Sequence, residues 1–253
     1  MQDIWWHTHS LLPLIDAARV ACVSRDFVQS WRFCPNLTFT RWTLNLYRKK
    51  DGKDCQLRVD NIMKKHAGIG MKTFMIDLTS VSIKNDTCYF DHLNSWLQIV
   101  VKQGIEELSL FLKPCHAVVY DFPCALLSGE TGASLRSLLL SSCIFCPTIG
   151  ICLRSLTSLM LSAVSIKEEE LTRFLSSVPV LESLQISRCY RIACIRIPCL
   201  QKLNYLCVLY RCRLQLIESK APNLSSFYFA GELSVQFSLA SANKIEKFEM
   251  FFL

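Results

Sequence analysis

Chemistry in this chain would have to start from its cysteines and histidines. Cys143-Ile-Phe-Cys146 is the one CxxC, Cys194/Cys199 and Cys207/Cys212 each have four residues between them, and Cys115 adjoins His116. A structural zinc centre would need a second close pair of thiolate or imidazole ligands at workable spacing beside Cys143 and Cys146, and Cys143 has a structural slot of its own, described below. A nucleophilic thiol would need a base within reach, and Cys115 with His116 is the pair that could supply it. The five histidines otherwise stand without a motif, and no GxGxxG, P-loop or GxSxG occurs. His7 and His9 fall on the expected first helix, facing solvent or a partner. The expectation is a chain with no metal, no cofactor and no catalytic residue.

The composition asks for a different kind of molecule. Hydrophobic residues make up 51% and charged residues 19%, which suits strands buried on both faces better than a small solvated sandwich. At 253 residues there is length for a sizeable core. No apolar run approaches the roughly 18 to 20 residues of a membrane-spanning helix. Asp3, His7, His9, Asp16 and Arg19 interrupt the first 22 residues, which therefore lack the basic start and apolar centre of a secretory signal. The expected place is the cytoplasm or nucleus, where the 14 cysteines are reduced and act as small buried apolar residues. The net charge of +7 gathers partly in Arg48, Lys49, Lys50 and Lys53, and then scatters through Arg188, Arg191, Arg196, Lys202, Arg211 and Arg213. No aromatic-interleaved groove or helix-turn-helix pattern accompanies it, so it reads as a solvated loop and solvated faces, with no nucleic acid expected.

The main signal is a repeat. The template apolar-x-x-apolar-x-apolar recurs at Met71/Phe74/Ile76, Ile105/Leu108/Leu110, Leu135/Leu138/Leu140, Leu156/Leu159/Leu161, Leu181/Leu184/Ile186, Leu203/Leu206/Val208, Leu224/Phe227/Phe229 and Ile245/Phe248/Met250. From Leu135 the steps are 21, 25, 22, 21 and 21 residues, within the range of leucine-rich repeats; the first two steps are 34 and 30. In so hydrophobic a chain, single matches arise by chance, so the regular spacing carries the weight. Ser precedes the second apolar position in Leu135-Arg-Ser-Leu, Leu156-Thr-Ser-Leu, Leu181-Glu-Ser-Leu and Leu224-Ser-Ser-Phe. Cys143 and Cys189 stand three residues after the third apolar position, the slot for an inward side chain at the turn leaving the strand.

Each repeat is one short strand plus a return segment, and neither buries its apolar face alone, so the units must stack. The expected fold class is α/β: a leucine-rich-repeat solenoid, a horseshoe with parallel strands on its concave face. The residues of each strand that point outward would be Met75, Ser109, Leu139, Met160, Gln185, Cys207, Tyr228 and Glu249. Leu139, Met160, Gln185 and Tyr228 either form a target-binding stripe or are covered by the chain's own C-terminal segment or by neighbouring strands. Helical spacing predicts return helices over 168–175, capped by Ser165 and stopped by Pro179, and over 91–101, with Leu93, Trp96, Leu97 and Val100 on one face.

Residues 1–40 break the repeat and read as a short three-helix module, followed by a connecting helical segment over 41–70 and the solenoid over 71–253. The first helix runs through Ile4 to Leu11. Pro13 opens the second, where Leu14, Ala17, Ala18, Ala21 and Cys22 make a stripe. Ser24 caps the third, where Phe27, Val28 and Trp31 share a face.

Within this module Asp3-Ile4-Trp5, Ser10-Leu11-Leu12-Pro13-Leu14, Asp16-Ala17-Ala18-Arg19, Cys22-Val23-Ser24-Arg25 and Trp31-Arg32 resemble a plant F-box. Trp96-Leu97-Gln98, Ile105-Glu106-Glu107-Leu108, Phe122-Pro123-Cys124, Ile197-Pro198-Cys199-Leu200 and Ala221-Pro222-Asn223-Leu224 resemble the leucine-rich-repeat F-box proteins of grasses. The resemblance covers nearly the whole chain. It implies the substrate-recognition subunit of an SCF-type cullin-RING ubiquitin ligase. The F-box would dock on a Skp-type adaptor that joins cullin and RING subunits, and the repeats would hold the protein to be ubiquitinated. Such a receptor does no chemistry itself; it raises the effective concentration of target lysines near the conjugating enzyme. Carried onto this sequence, the adaptor-facing surface or its support would be Ile4, Leu11, Pro13, Leu14, Val20, Ser24 and Trp31; the other reading is that these residues pack the three helices together. Two departures stand out. Met1-Gln2 takes the place of the family's Leu-Pro, and Thr8 occupies a position that is usually apolar. The chain also stops within a repeat at Phe251-Phe252-Leu253, so the expectation is a family member shortened at both ends. The competing readings are a repeat scaffold with a degenerate F-box and, distantly, a hydrolase relying on Cys115 and His116.

Overall fold

The computed structural model describes residues 34–44, 46, 52–66, 70–81, 87–102, 104–114, 119–147, 150–210, 213–240 and 244–252, together with Leu12, Asp16, Arg19 and Val20. The chain divides into two compact units, Met1–Val118 and Val119–Leu253. Within residues 1–40, where three helices are expected, the structure describes those four positions and 34–40.

In the first unit, strand β1 (Asn36–Phe39), helix α1 (Gly52–Lys65), strand β2 (Thr73–Asp77), helix α2 (Thr87–Lys102) and strand β3 (Glu107–Phe111) alternate along the chain. The strands are parallel, with Leu37, Phe74 and Leu108 in one register row and Phe39, Ile76 and Leu110 in the next. All six side chains are fully buried, each contributing roughly 1.5–3 kcal/mol relative to exposure. β1 was not among the eight copies, because Cys34 stands in the first apolar slot and Pro35 follows it. Cys34/Leu37/Phe39 nevertheless fits the template one step earlier. Helix α2 buries Leu93, Trp96, Leu97 and Val100, as its spacing predicts, and α1 buries Cys55, Val59 and Met63 one turn apart. The two helices are tied by polar contacts as well. The Trp96 indole donates to Asp60 Oδ1 at 2.7 Å, His92 Nδ1 lies 3.2 Å from Asp60 Oδ2, and the Tyr89 hydroxyl meets Cys55 Sγ at 3.5 Å.

The second unit begins with the short parallel pair β4 (Tyr120–Asp121) and β6 (Cys143–Ile144). Its main sheet is a parallel series of β5 (Ser137–Ser141), β7 (Ser158–Ser162), β8 (Ser183–Ser187), β10 (Tyr205–Leu209), β12 (Ser226–Gly231) and β14 (Lys247–Phe252). The inward Leu138, Leu159, Leu184, Leu206 and Phe227 stack in register and are almost fully buried. A second parallel sheet, β9 (Cys194–Ile197), β11 (Leu216–Ser219) and β13 (Gln236–Leu239), forms from return segments, and one return is the helix α3 (Glu168–Ser176).

Step length selects which return forms. The 25-residue step from Leu156 to Leu181 accommodates α3, whereas the 22- and 21-residue steps that follow leave room only for the extended β9, β11 and β13. The two return helices expected over 168–175 and 91–101 are present, while the extended returns β9, β11 and β13 were not anticipated. The start of α3 also differs from expectation. Its N-cap is Lys167, whose N–H donates to Glu170 Oε2 at 3.2 Å, while the Ser165 hydroxyl instead accepts from Arg191 at 3.2 Å.

Successive repeats are joined by one recurring junction. The carbonyl one residue after the first apolar position accepts two N–H groups from the next repeat. Arg136 accepts from Thr157 and Ser158, Thr157 from Glu182 and Ser183, and Glu182 from Asn204 and Tyr205. At the strand exits Ser142, Ala163 and Arg188 take positive φ of 57°, 53° and 54°, and each donates its N–H to the end of the following strand. The Cys189 slot behaves as read from sequence. Its thiol is buried and meets the Ser187 carbonyl at 3.4 Å, and the Tyr210 hydroxyl donates to the Cys189 carbonyl at 2.8 Å.

Candidate interaction surface

Strand residues alternate between two faces, so the residue between the second and third apolar positions must emerge on the side opposite the core. In the second unit these residues line up as one register row: Leu139, Met160, Gln185, Cys207, Tyr228 and Glu249. The four positions expected to meet a target, Leu139, Met160, Gln185 and Tyr228, are therefore brought together, and all four are half-buried. Cys207 stands between Gln185 and Tyr228 and is only 6% exposed. Its neighbour Tyr205 hydrogen-bonds to it, and the Tyr205 and Tyr228 rings approach to 5.5 Å between centroids, tilted by 39°. In the first unit Met75 and Ser109 share a row with Thr38.

Two further rows flank the central one. Ser137, Ser158, Ser183, Tyr205 and Ser226 form the row on the strand-entry side, and Ser141, Ser162, Ser187, Leu209 and Ala230 form the row on the exit side. No charged side chain occupies this face on β5, β7, β8, β10 or β12. Charge reappears on β14, where Lys247 and Glu249 continue the rows, followed by Phe251. The first unit's strands differ, carrying Glu107 and Asp77 in the corresponding positions. Burial pushes the Tyr205 phenol up to about 12, with Cys207 adding to the shift, so its hydroxyl stays protonated at neutral pH and donates to Cys207. The entry-side serines were legible as the Ser before the second apolar position, but they were not read as outward, and the exit-side row was missed because the template was read at its central position alone. The period of two, applied two residues either way, would have found Tyr205 and Leu209.

Among the expected adaptor-facing residues, Val20 is described: it is helical and half-buried, near an Asp16–Arg19 ion pair of 3.1 Å. Ile4, Leu11, Pro13, Leu14, Ser24 and Trp31 lie outside the described residues, as do Cys115 and His116. The CxxC pair diverges, with Cys143 fully buried and Cys146 exposed. Burial pushes the Cys124 thiol up to about 12 and the Cys189 thiol to about 11, and raises Cys143 further. Such thiols stay protonated at neutral pH, which makes them poor nucleophiles. Among the described residues, no three His, Cys, Asp or Glu side chains come together in a way that could hold a metal ion.

Comparison with known proteins places this geometry. The family model for the At1g61320/AtMIF1 LRR domain matches residues 62–252, which takes in β2 through β14. An FBD-associated F-box protein, At5g56380 of Arabidopsis thaliana, is 30% identical over 209 residues, covering 78% of this chain and 45% of the relative. The F-box/LRR-repeat protein At3g03360 of the same plant is 25% identical over 223 residues, covering 85% of this chain and 43% of the relative. The chain thus spans less than half the length of these relatives. No solved structure matches it.

Proposed function

We propose, since this chain belongs to the plant F-box/leucine-rich-repeat proteins, that it is the substrate-recognition subunit of an SCF-type cullin-RING ubiquitin ligase. Residues Ile4, Leu11, Pro13, Leu14, Val20, Ser24 and Trp31 bind or support a Skp-type adaptor, and through it the cullin and RING subunits. Leu139, Met160, Gln185 and Tyr228 meet the target protein. The observation that carries the reading is the in-register row of those four residues on an outward sheet face, in a chain whose relatives are named as F-box and LRR-repeat proteins. A stacked sheet of this kind offers a rigid surface whose strands are spaced by about 4.8 Å. Rigidity lowers the ordering cost of capture, and tethering then raises the local concentration of target lysines. The chain itself supplies position rather than a reacting group, and it works in the cytoplasm or nucleus, where its thiols remain reduced.

Coexpression of residues 1–253 with a plant Skp-type adaptor tests this reading. The chain is expected to copurify with the adaptor in a stoichiometric complex, and a Pro13→Ala/Leu14→Asp double variant is expected to lose it. A folded wild-type chain that leaves the adaptor behind would overturn the ligase reading and leave an interaction scaffold.

A further inference from the structure

Resting on the reading of the β5–β12 face as the target-holding surface, we infer that it takes an uncharged, extended peptide segment and anchors one apolar side chain of that segment in a notch over Ala230. The case begins with charge. Although charged residues make up 19% of the chain, none stands on this face across five consecutive strands. A Lys, Arg, Asp or Glu of a partner pressed onto β5 to β10 would lose water and meet no opposite charge there, the nearest charges in these rows being Lys247 and Glu249 on β14, so a charged side chain is disfavoured along the strip. The occupant this surface tolerates is therefore neutral.

Composition and shape then specify more. The half-exposed serines Ser137, Ser158, Ser183 and Ser226 on one side of the central row and Ser141 and Ser162 on the other present hydroxyls that both donate and accept, which suits the N–H and C=O groups of a peptide backbone, whereas Ser187 is buried. From β5 to β12 the face spans four strand spacings, about 19 Å, which is room for roughly six extended residues. At its far end Leu209, Ala230 and Phe251 stand side by side in register on β10, β12 and β14. Leu209 is 36% exposed and Phe251 61%, while the residue between them ends at Cβ, so two exposed apolar walls flank a small floor. Tyr228, two residues before Ala230 on the same face of β12, stands beside this floor and gives it an aromatic side. A depression walled by Leu, Phe and Tyr at one end of an uncharged strip is the place for a single buried anchor, the arrangement that dominates binding energy at protein interfaces.

The test pans a phage-displayed library of random peptides against the immobilised full chain, in parallel with Ala230→Trp, which fills the notch, and Gln185→Arg, which puts a charge at the centre of the strip. Tyr228→Ser serves as a second notch variant should Ala230→Trp fail to match the wild-type melting curve. The enriched pool is expected to be depleted in Asp, Glu, Lys and Arg and rich in Leu, Phe, Tyr or Trp, and its recovery is expected to fall about tenfold or more on the variants. A pool rich in charged residues, or no enrichment at all, overturns the inference. Binding that survives every variant overturns the assignment of this face itself. Adaptor copurification touches neither surface residue, so its failure would remove the ligase reading while leaving a selective neutral pool as support for the inference.

Discussion

His66 is a neutral imidazole held inside the first unit. Its Nε2 lies 2.8 Å from the Cys34 carbonyl, and since a carbonyl can only accept, that nitrogen carries the proton and Nδ1 does not. Burial, the largest influence, lowers its pKa below 6.5, and the hydrogen bond to Cys34 only partly opposes this. The unfolded chain thus takes up the proton first as pH falls. The stability that neutral His66 contributes is complete above about pH 6.5 and is lost as pH drops through that value toward the folded pKa. The melting temperature is therefore expected to fall between about pH 7.5 and 5.5, and His66→Gln, which keeps a side-chain N–H but cannot titrate, is expected to flatten that dependence. An unchanged pH slope in the variant would remove His66 from the account. At this scale the sequence was partly legible. Cys189 declared its slot by its distance from Ile186, whereas His66 gave no signal, because its partner Cys34 is 32 residues away and the pairing exists only once β1 has docked beside β2.

The elements follow from spacing and step length. The apolar template located seven of the strands in β2, β3, β5, β7, β8, β10 and β12 because inward leucines at a period of two have only one way to be buried, and β14 followed from the same template. The second sheet, β9–β11–β13, was not legible, since a template that reads one strand per repeat is blind to the return segment. Its position depends on a side chain from another element. Glu168, in the first turn of α3, accepts with Oε1 from the N–H of Ala193 at 2.7 Å and of Cys194 at 3.1 Å, which fixes where β9 begins. Arg196 of β9 then faces Glu168 and Glu218 at 3.9 and 3.8 Å. Replacing Glu168 by Ala leaves two strand-entry donors without their acceptor and is expected to cost about 1–3 kcal/mol. That corresponds to a fall in melting temperature of several degrees, while Glu169→Ala, on an exposed neighbouring position, is expected to melt with the wild type. Equal melting of the two variants would show that β9 is placed by packing alone.

For the whole molecule, the proposed activity needs two surfaces and no reacting group. The N-terminal motif legible in residues 3–32 is read as the adaptor surface, and the uncharged face of β5 to β12 as the target surface. Composition pointed to strands buried on both faces, whereas β2, β5, β7 and β12 bury one face and leave the other half-exposed, so the stacked architecture was legible from the repeat spacing rather than from composition. What neither announced was the neutrality of the outward face, which emerges only when the rows of separate strands are aligned in register. A receptor that works by proximity must hold adaptor and target at once. The decisive measurement is the mass, by light scattering in line with size exclusion, of the chain mixed with the Skp-type adaptor and a saturating neutral peptide selected on the chain, together with the peptide's Kd in the presence and absence of adaptor. Occupancy of one adaptor and one peptide per chain, with the Kd unchanged to within about twofold, is the predicted result, a difference well under the 1.4 kcal/mol of a tenfold change. Displacement of the peptide by the adaptor, or of the adaptor by the peptide, would contradict it.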